Sequence, residues 1–122
     1  MRGARFDDLR GAHAAALRHL RYLRADAPSR TNNELLVLVA LWTSGRDVGF
    51  GALADEVGMT AGGLSALVSR LERAGLVLRY RDDPDFRRVM VGLTADALAM
   101  VEATAERASS TDAERAPSSP RA

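Results

Sequence analysis

The chain contains no cysteine, which excludes a disulfide framework, thiol catalysis and any Cys-ligated metal site. It also contains no lysine: all 17 of its basic side chains are arginine. A GC-rich coding sequence is the plain reason for that bias. Its physical consequence is that every cation presents a planar fork, able to pair with phosphate or a guanine edge through two hydrogen bonds. No uninterrupted apolar run approaches the roughly 20 residues needed to span a bilayer. The arginine near the N-terminus is not followed by the apolar stretch of a secretory signal, so the cytoplasm is the expected compartment. The formal net charge is only +1, so nucleic-acid binding would have to rest on local clustering of arginine. Acidic residues are scattered, no Ser/His/acid set converges, and no phosphate-binding glycine loop precedes a helix. An enzyme is therefore not expected, nor a cofactor. His13 and His19 lie on different faces of one helix, so a packed or solvated role is expected for them rather than metal ligation.

What is present fits one domain with a single core in 122 residues. Residues 4–25 read as an amphipathic helix, with Phe6, Leu9, His13, Ala16, Leu17, Leu20 and Leu23 at three- and four-residue steps. Pro28 ends it. Thr31 and Glu34 form a capping-box pattern, and "LLVLVALW" behind them is apolar on nearly every face, so this second helix should be central. Trp42 is expected in the core or in a pocket wall. Phe50 and its neighbours fit a short extended segment. Residues 51–57 suggest a short third helix with Leu53, Ala54 and Val57 inward and Gly58 as a left-handed cap.

Thr60 should cap a fourth helix running to about residue 74, stopped by Gly75. Its buried stripe is Leu64, Leu67, Val68 and Leu71, which leaves Ala61, Gly62, Ser65, Ala66, Ser69, Arg70 and Arg73 outward. The pattern then alternates over residues 76–81 and 87–94, two strands joined by acidic, turn-rich "DDPDF". Leu76, Leu78 and Tyr80 share one strand face, and Val89, Val91 and Leu93 share one face of the other. A last helix spans about residues 95–108. The remainder is too poor in apolar side chains to pack and is expected to be disordered.

Two adjacent glycines, Gly62 and Gly63, stand in the first turn of the fourth helix, although glycine costs a helix interior about 1 kcal/mol relative to alanine. A short helix, a brief turn and a second helix with a small, polar outer face form a helix-turn-helix pattern, and the hairpin after it makes the pattern winged. In that setting the glycines leave room for base edges, with Thr60, Ser65 and Ser69 as hydrogen-bonding groups and the helix N–H groups available to phosphate. The other reading is that the glycines allow close packing on a neighbouring helix.

The stretch "LADEVGMTAGGLSALVSRLERAGLVLRYRDDPDFRRVMVGLT" resembles the core of the multiple-antibiotic-resistance regulator (MarR) family of bacterial winged-helix transcription factors. The matching residues are Leu53-Ala54, Thr60, Arg70-Leu71-Glu72, Gly75-Leu76-Val77, Asp83-Pro84, Arg87-Arg88 and Leu93-Thr94, and the likeness runs over residues 31–107. It implies a mainly α fold with a small β-hairpin wing, and a repressor that binds a palindromic operator in double-stranded DNA as a homodimer. Residues 1–30 would form a dimerising N-terminal helix, 31–94 the DNA-binding domain, 95–110 a dimerising C-terminal helix and 111–122 a disordered tail.

Carried over by position, Thr60, Ala61, Gly62, Ser65, Ala66 and Ser69 would face bases. Arg70 and Arg73 would contact phosphate or brace the wing, and Arg87 or Arg88 would enter the minor groove, where negative potential attracts arginine. Phe6, Leu9, Leu17, Leu20, Leu98 and Val101 would serve dimerisation. A small aromatic effector, if the chain takes one, would be lined by His13, Leu17, Trp42 and Phe50. The chain departs from the family at Ala66, often basic or amide, and Ser69, often acidic, which implies less direct base readout. Its wing is one residue shorter, with Phe86 where an acid is common, and one modest helix follows the wing instead of two long ones. The alternative is a winged-helix protein-interaction module or antirepressor that binds no DNA.

Overall fold

The computed structural model describes the backbone of residues 2–82 and 88–118, and the side chains of residues 14–82 and 88–109. In chain order the elements are α1 (Arg2–Asp26), α2 (Asn32–Ser44), β1 (Val48–Gly49), α3 (Phe50–Val57), α4 (Ala61–Arg73), β2 (Val77–Arg81), β3 (Val89–Leu93) and α5 (Ala95–Ser118). The three strands form one antiparallel sheet in the order β1-β3-β2.

Helix α2 starts where its capping box dictates. Thr31 Oγ1 accepts from the Glu34 N–H at 3.1 Å, and a Glu34 carboxylate oxygen accepts from the Thr31 N–H at 2.7 Å. Both orphan donors of the first turn are thereby satisfied. Leu35, Val37, Leu38 and Leu41 of α2 are buried against Leu53 of α3, the leucine stripe of α4, and Val77 and Val91 of the sheet. The helix is central but not buried all round, since Leu36 remains 40% exposed. Gly58 closes α3 at φ 71°, a left-handed conformation that any other side chain would strain.

The short extended segment lies one step earlier than the sequence suggests: Val48 and Gly49 pair with Val91 and Met90, and Phe50 already opens α3. Leu78 and Tyr80 do share a face, but it is the outer one, 56% and 40% exposed, while Val77 points into the core. On that outer face the Asp47 carboxylate lies where a Cβ on Gly92 would stand and accepts the Tyr80 hydroxyl proton. This bond is the main reason the Tyr80 phenol titrates above its ordinary value of 10.0.

Helices α1 and α5 pack on each other and on α2. Between them His19 is buried, with Nε2 3.0 Å from both the Val101 carbonyl and the Thr104 hydroxyl. Its ring meets Trp42 edge-on at 5.0 Å. Trp42 is half-buried, packed on the core and lining a cavity as well. Helix α5 runs to Ser118 rather than ending near residue 108. Apolar content was the wrong criterion for its end, because extending an existing helix requires only one further hydrogen bond per residue fixed. Among the described residues no helix is long and apolar enough to cross a membrane.

Glu34 joins this framework to α4. Its carboxylate lies 3.4 Å from Arg30 and 3.6 Å from Arg70. Burial alone would raise its pKa. The Thr31 N–H and hydroxyl and the two guanidinium groups outweigh that, leaving it below the ordinary 4.5. A carboxylate depressed on folding stabilises the protein fully above its unfolded value, and that contribution vanishes as pH falls through the folded one. The variant Glu34→Gln should therefore lose about 1–2 kcal/mol at pH 7. In thermal melts its deficit against the parent should shrink steadily below pH 4.5; a constant gap down to pH 3 would deny the carboxylate this role.

Candidate nucleic-acid interface

Thr60 fixes the start of α4, its hydroxyl accepting from the Gly63 N–H at 3.1 Å. Leu64, Leu67, Val68 and Leu71 pin the inner side of the helix in the core. Ala61, Gly62, Gly63, Ala66, Arg70 and Arg73 are exposed. A Cβ built on Gly62 meets nothing within 4 Å. One on Gly63 meets only the Thr60 hydroxyl at 3.2 Å and the Met59 methyl at 3.7 Å. No neighbouring helix crowds either glycine; the Thr60 cap sits tight against the Gly63 position, and internal packing leaves Gly62 without an account.

Ser65 and Ser69 are half-buried and turned toward the hairpin. Arg79 of β2 donates to Ser65 Oγ at 3.3 Å, to Ser69 Oγ at 2.9 Å and to Glu72 Oε1 at 3.0 Å. Arg79 was absent from the sequence-derived site, although a signal existed. Ser65, Ser69 and Glu72 fall at i, i+4 and i+7, one stripe of a helix. The strand period puts Arg79 on the same side as the buried Val77. Arg70 goes elsewhere: it reaches Glu34 and braces α4 on α2, not on the wing. Arg73 makes no ion pair among the described residues.

Arg88 extends from the start of β3 with its side chain 65% exposed and its Nε 3.3 Å from Asp82. Arg87, the other candidate for the wing tip, lies outside the described residues. Phe50, Ala61, Gly62, Ser65, Arg79, Tyr80, Arg81 and Val89 line one groove of about 570 Å³ between the start of α4 and the root of the wing.

The suggested effector residues are not brought together. Phe50 belongs to this groove, Leu17 is 50% exposed, and the side chain of His13 lies outside the described residues. Trp42 instead shares a cavity of about 340 Å³ with His19, Arg18 and residues of α5. Among the proposed dimer residues, Val101 is fully buried in the protomer's own core and Leu20 is half-buried. Both serve folding first, because the α1–α5 contact is made within the chain. Leu17 and Leu98 stay exposed, at 50% and 41%, while the side chains of Phe6 and Leu9 lie outside the described residues. Replacing Arg79 with methionine should lower stability by about 1–2 kcal/mol by unpairing Glu72 and two hydroxyls. Arg73→Ala should stay within about 0.5 kcal/mol, and denaturant titrations of both variants would separate the brace from the solvated cation.

Residues 31–89 match the MarR family model. The uncharacterized HTH-type transcriptional regulator YcgE of Bacillus subtilis (strain 168) is 46% identical over 41 residues, 34% of this chain. That match spans only 27% of YcgE. The structure of NadR in complex with 4-hydroxyphenylacetate is similar with a TM-score of 0.67 and 29% identity, covering 89% of this chain and 77% of NadR. A mutant of MepR from S. aureus, solved bound to an oligodeoxyribonucleotide, is similar with a TM-score of 0.68. It covers 96% of this chain and 83% of its own, and at 24% identity it speaks to the fold alone. Helix-turn-helix, wing, shared fold and matched segment agree: residues 31–89 of this chain are a MarR-family segment.

Proposed function

We propose that the protein is a cytoplasmic, non-catalytic transcriptional regulator, a repressor, that binds a palindromic operator in double-stranded DNA as a homodimer. Helix α4 would lie in the major groove and the wing in the minor groove. The observation that carries this reading is Gly62: its missing side chain faces open space, nothing in its own fold requires the gap, and it stands between exposed Ala61 and Ala66. A surface kept smooth at the first turn of a helix suits the close approach of base edges. Exposed Arg73 and Arg88 and the groove holding Arg81 supply the local positive charge that the total charge lacks. The curated relative supports the same reading, since YcgE is named an HTH-type transcriptional regulator. A dimer follows from the size of the site, because one helix reads few base pairs and paired half-sites one turn apart match a two-fold protein. The cavity beside Trp42 and His19 is the place for a small aromatic effector, as NadR holds 4-hydroxyphenylacetate.

The test is a titration of the purified chain with its own upstream DNA and with a scrambled duplex at two salt concentrations. A dimer making six to ten phosphate contacts loses roughly 10³–10⁵ in affinity between about 50 and 200 mM salt. Binding to neither duplex would favour the protein-interaction module. Arg88→Ala and Arg73→Ala should weaken every duplex alike and each reduce the salt slope by about one. Gly62→Ala should act in opposite directions on the two properties. It should raise thermal stability by about 0.5–1 kcal/mol and weaken operator binding. A variant that melts higher and binds as well as the parent would remove Gly62 from the contact.

A further inference from the structure

Every hydroxyl on the reading face of α4 already accepts a hydrogen bond from its own protein. Ser65 and Ser69 accept from Arg79 at 3.3 and 2.9 Å, and Thr60 accepts from the Gly63 N–H at 3.1 Å. A guanidinium only donates, whereas a serine hydroxyl has one proton to give and two lone pairs to receive with. The serine protons therefore cannot point toward β2. Helical hydroxyls often return the proton to a carbonyl one turn back, as Thr104 does to Met100 at 3.2 Å. Neither Ser65 nor Ser69 donates to any group among the described residues. Their protons are left for whatever lies against the outer face.

The rest of that face adds no acceptor. Ala61, Gly62 and Ala66 are apolar, Arg70 and Arg73 are donors, and the Glu72 carboxylate is paired with Arg79. The second serine lone pair remains, but a base amino group approaching it would meet the positive N–H groups of Arg79 close behind and would strand the serine proton. Resting on the DNA-binding reading above, we infer that Arg79 sets Ser65 and Ser69 as donors, so that α4 requires an acceptor, not an amino group, at the point of the major-groove edge each serine meets. Those acceptors are purine N7, guanine O6 and thymine O4, with the amino groups of cytosine and adenine disfavoured. The two serines are one turn apart, about 6 Å along the helix axis, so the preference falls on neighbouring base pairs of a half-site. Arg79 is a positioning residue here, since it reaches the bases only through the serines.

The experiment starts by enriching duplexes from a random library with the full chain. Bases of the enriched half-site are then replaced one at a time by analogues lacking a single acceptor: 7-deaza purines without N7, 2-aminopurine for guanine without O6, and 5-methyl-2-pyrimidinone for thymine without O4. The unmodified protein should lose roughly three- to tenfold in affinity at one or two positions. Ser65→Ala or Ser69→Ala should be indifferent at its own position. The double variant Arg79→Met, Glu72→Gln leaves no orphan carboxylate and should keep the salt slope while the penalty shrinks. The single serine variants carry the test by themselves if that double variant does not fold. Tolerance of the loss of N7, O6 and O4 at every position, or a penalty unchanged in the serine variants, would overturn the inference while leaving DNA binding intact. Serine variants that lose affinity equally on all duplexes would show donation to phosphate, which overturns it too. Failure to enrich any duplex would overturn the DNA-binding reading and this inference with it.

Discussion

The buried carboxylate of Glu34 is the point on which the architecture turns. One of its oxygens completes the cap of α2, the helix against which the core is assembled, and the other faces Arg70 of the helix presented to the outside. On the opposite flank of that outer helix, Glu72 meets Arg79 of the sheet. Beneath it lie four buried aliphatic side chains. Two lateral ion pairs and an apolar floor fix the rotation of α4 about its own axis. A turn of one residue position, about 100°, would bury its smooth face and expose its leucines. The interface therefore depends less on the outward residues than on the inward and lateral ones that aim them.

Elements governed by local chemistry were legible in the sequence. The capping box at Thr31 and Glu34, the left-handed Gly58 and the leucine stripe of α4 each follow from neighbours within four residues, and each stands where expected. Pairings between distant elements were not legible. Arg70 was read as a contact for phosphate or the wing, because nothing local shows that Glu34, a full helix away in sequence, lies beside it. Ser65 and Ser69 were read as free hydrogen-bonding groups, because the outward arc of a helix does not reveal which edge a following strand will cover. The grouping of the effector candidates was not legible for the same reason. Phe50 and Trp42 are close in sequence but line different cavities. The extent of α5 was missed for another cause, since packing potential and helix propagation obey different rules.

The exclusive use of arginine acquires structural meaning at Arg79. Its two terminal nitrogens reach acceptors on successive turns of α4, with NH1 on Ser65 and NH2 shared between Ser69 and Glu72. An ammonium carries its donors on one atom and could not span that stripe while keeping the same geometry. Whatever produced the arginine bias, this position makes use of the fork. The same fork keeps the Arg79 cation part-buried beneath the serines of α4.

The Asp47 carboxylate resting over Gly92 has a mechanical consequence. Through Tyr80 it fastens the strand that leads into the wing to the segment leaving α2. The hairpin is thus clamped at its root, at the level of the Tyr80–Met90 pair. Beyond that pair the ladder continues through Arg81 and Val89. A load on the outer end of the described hairpin is therefore shared with the segment leaving α2 instead of being borne by the β2–β3 ladder alone.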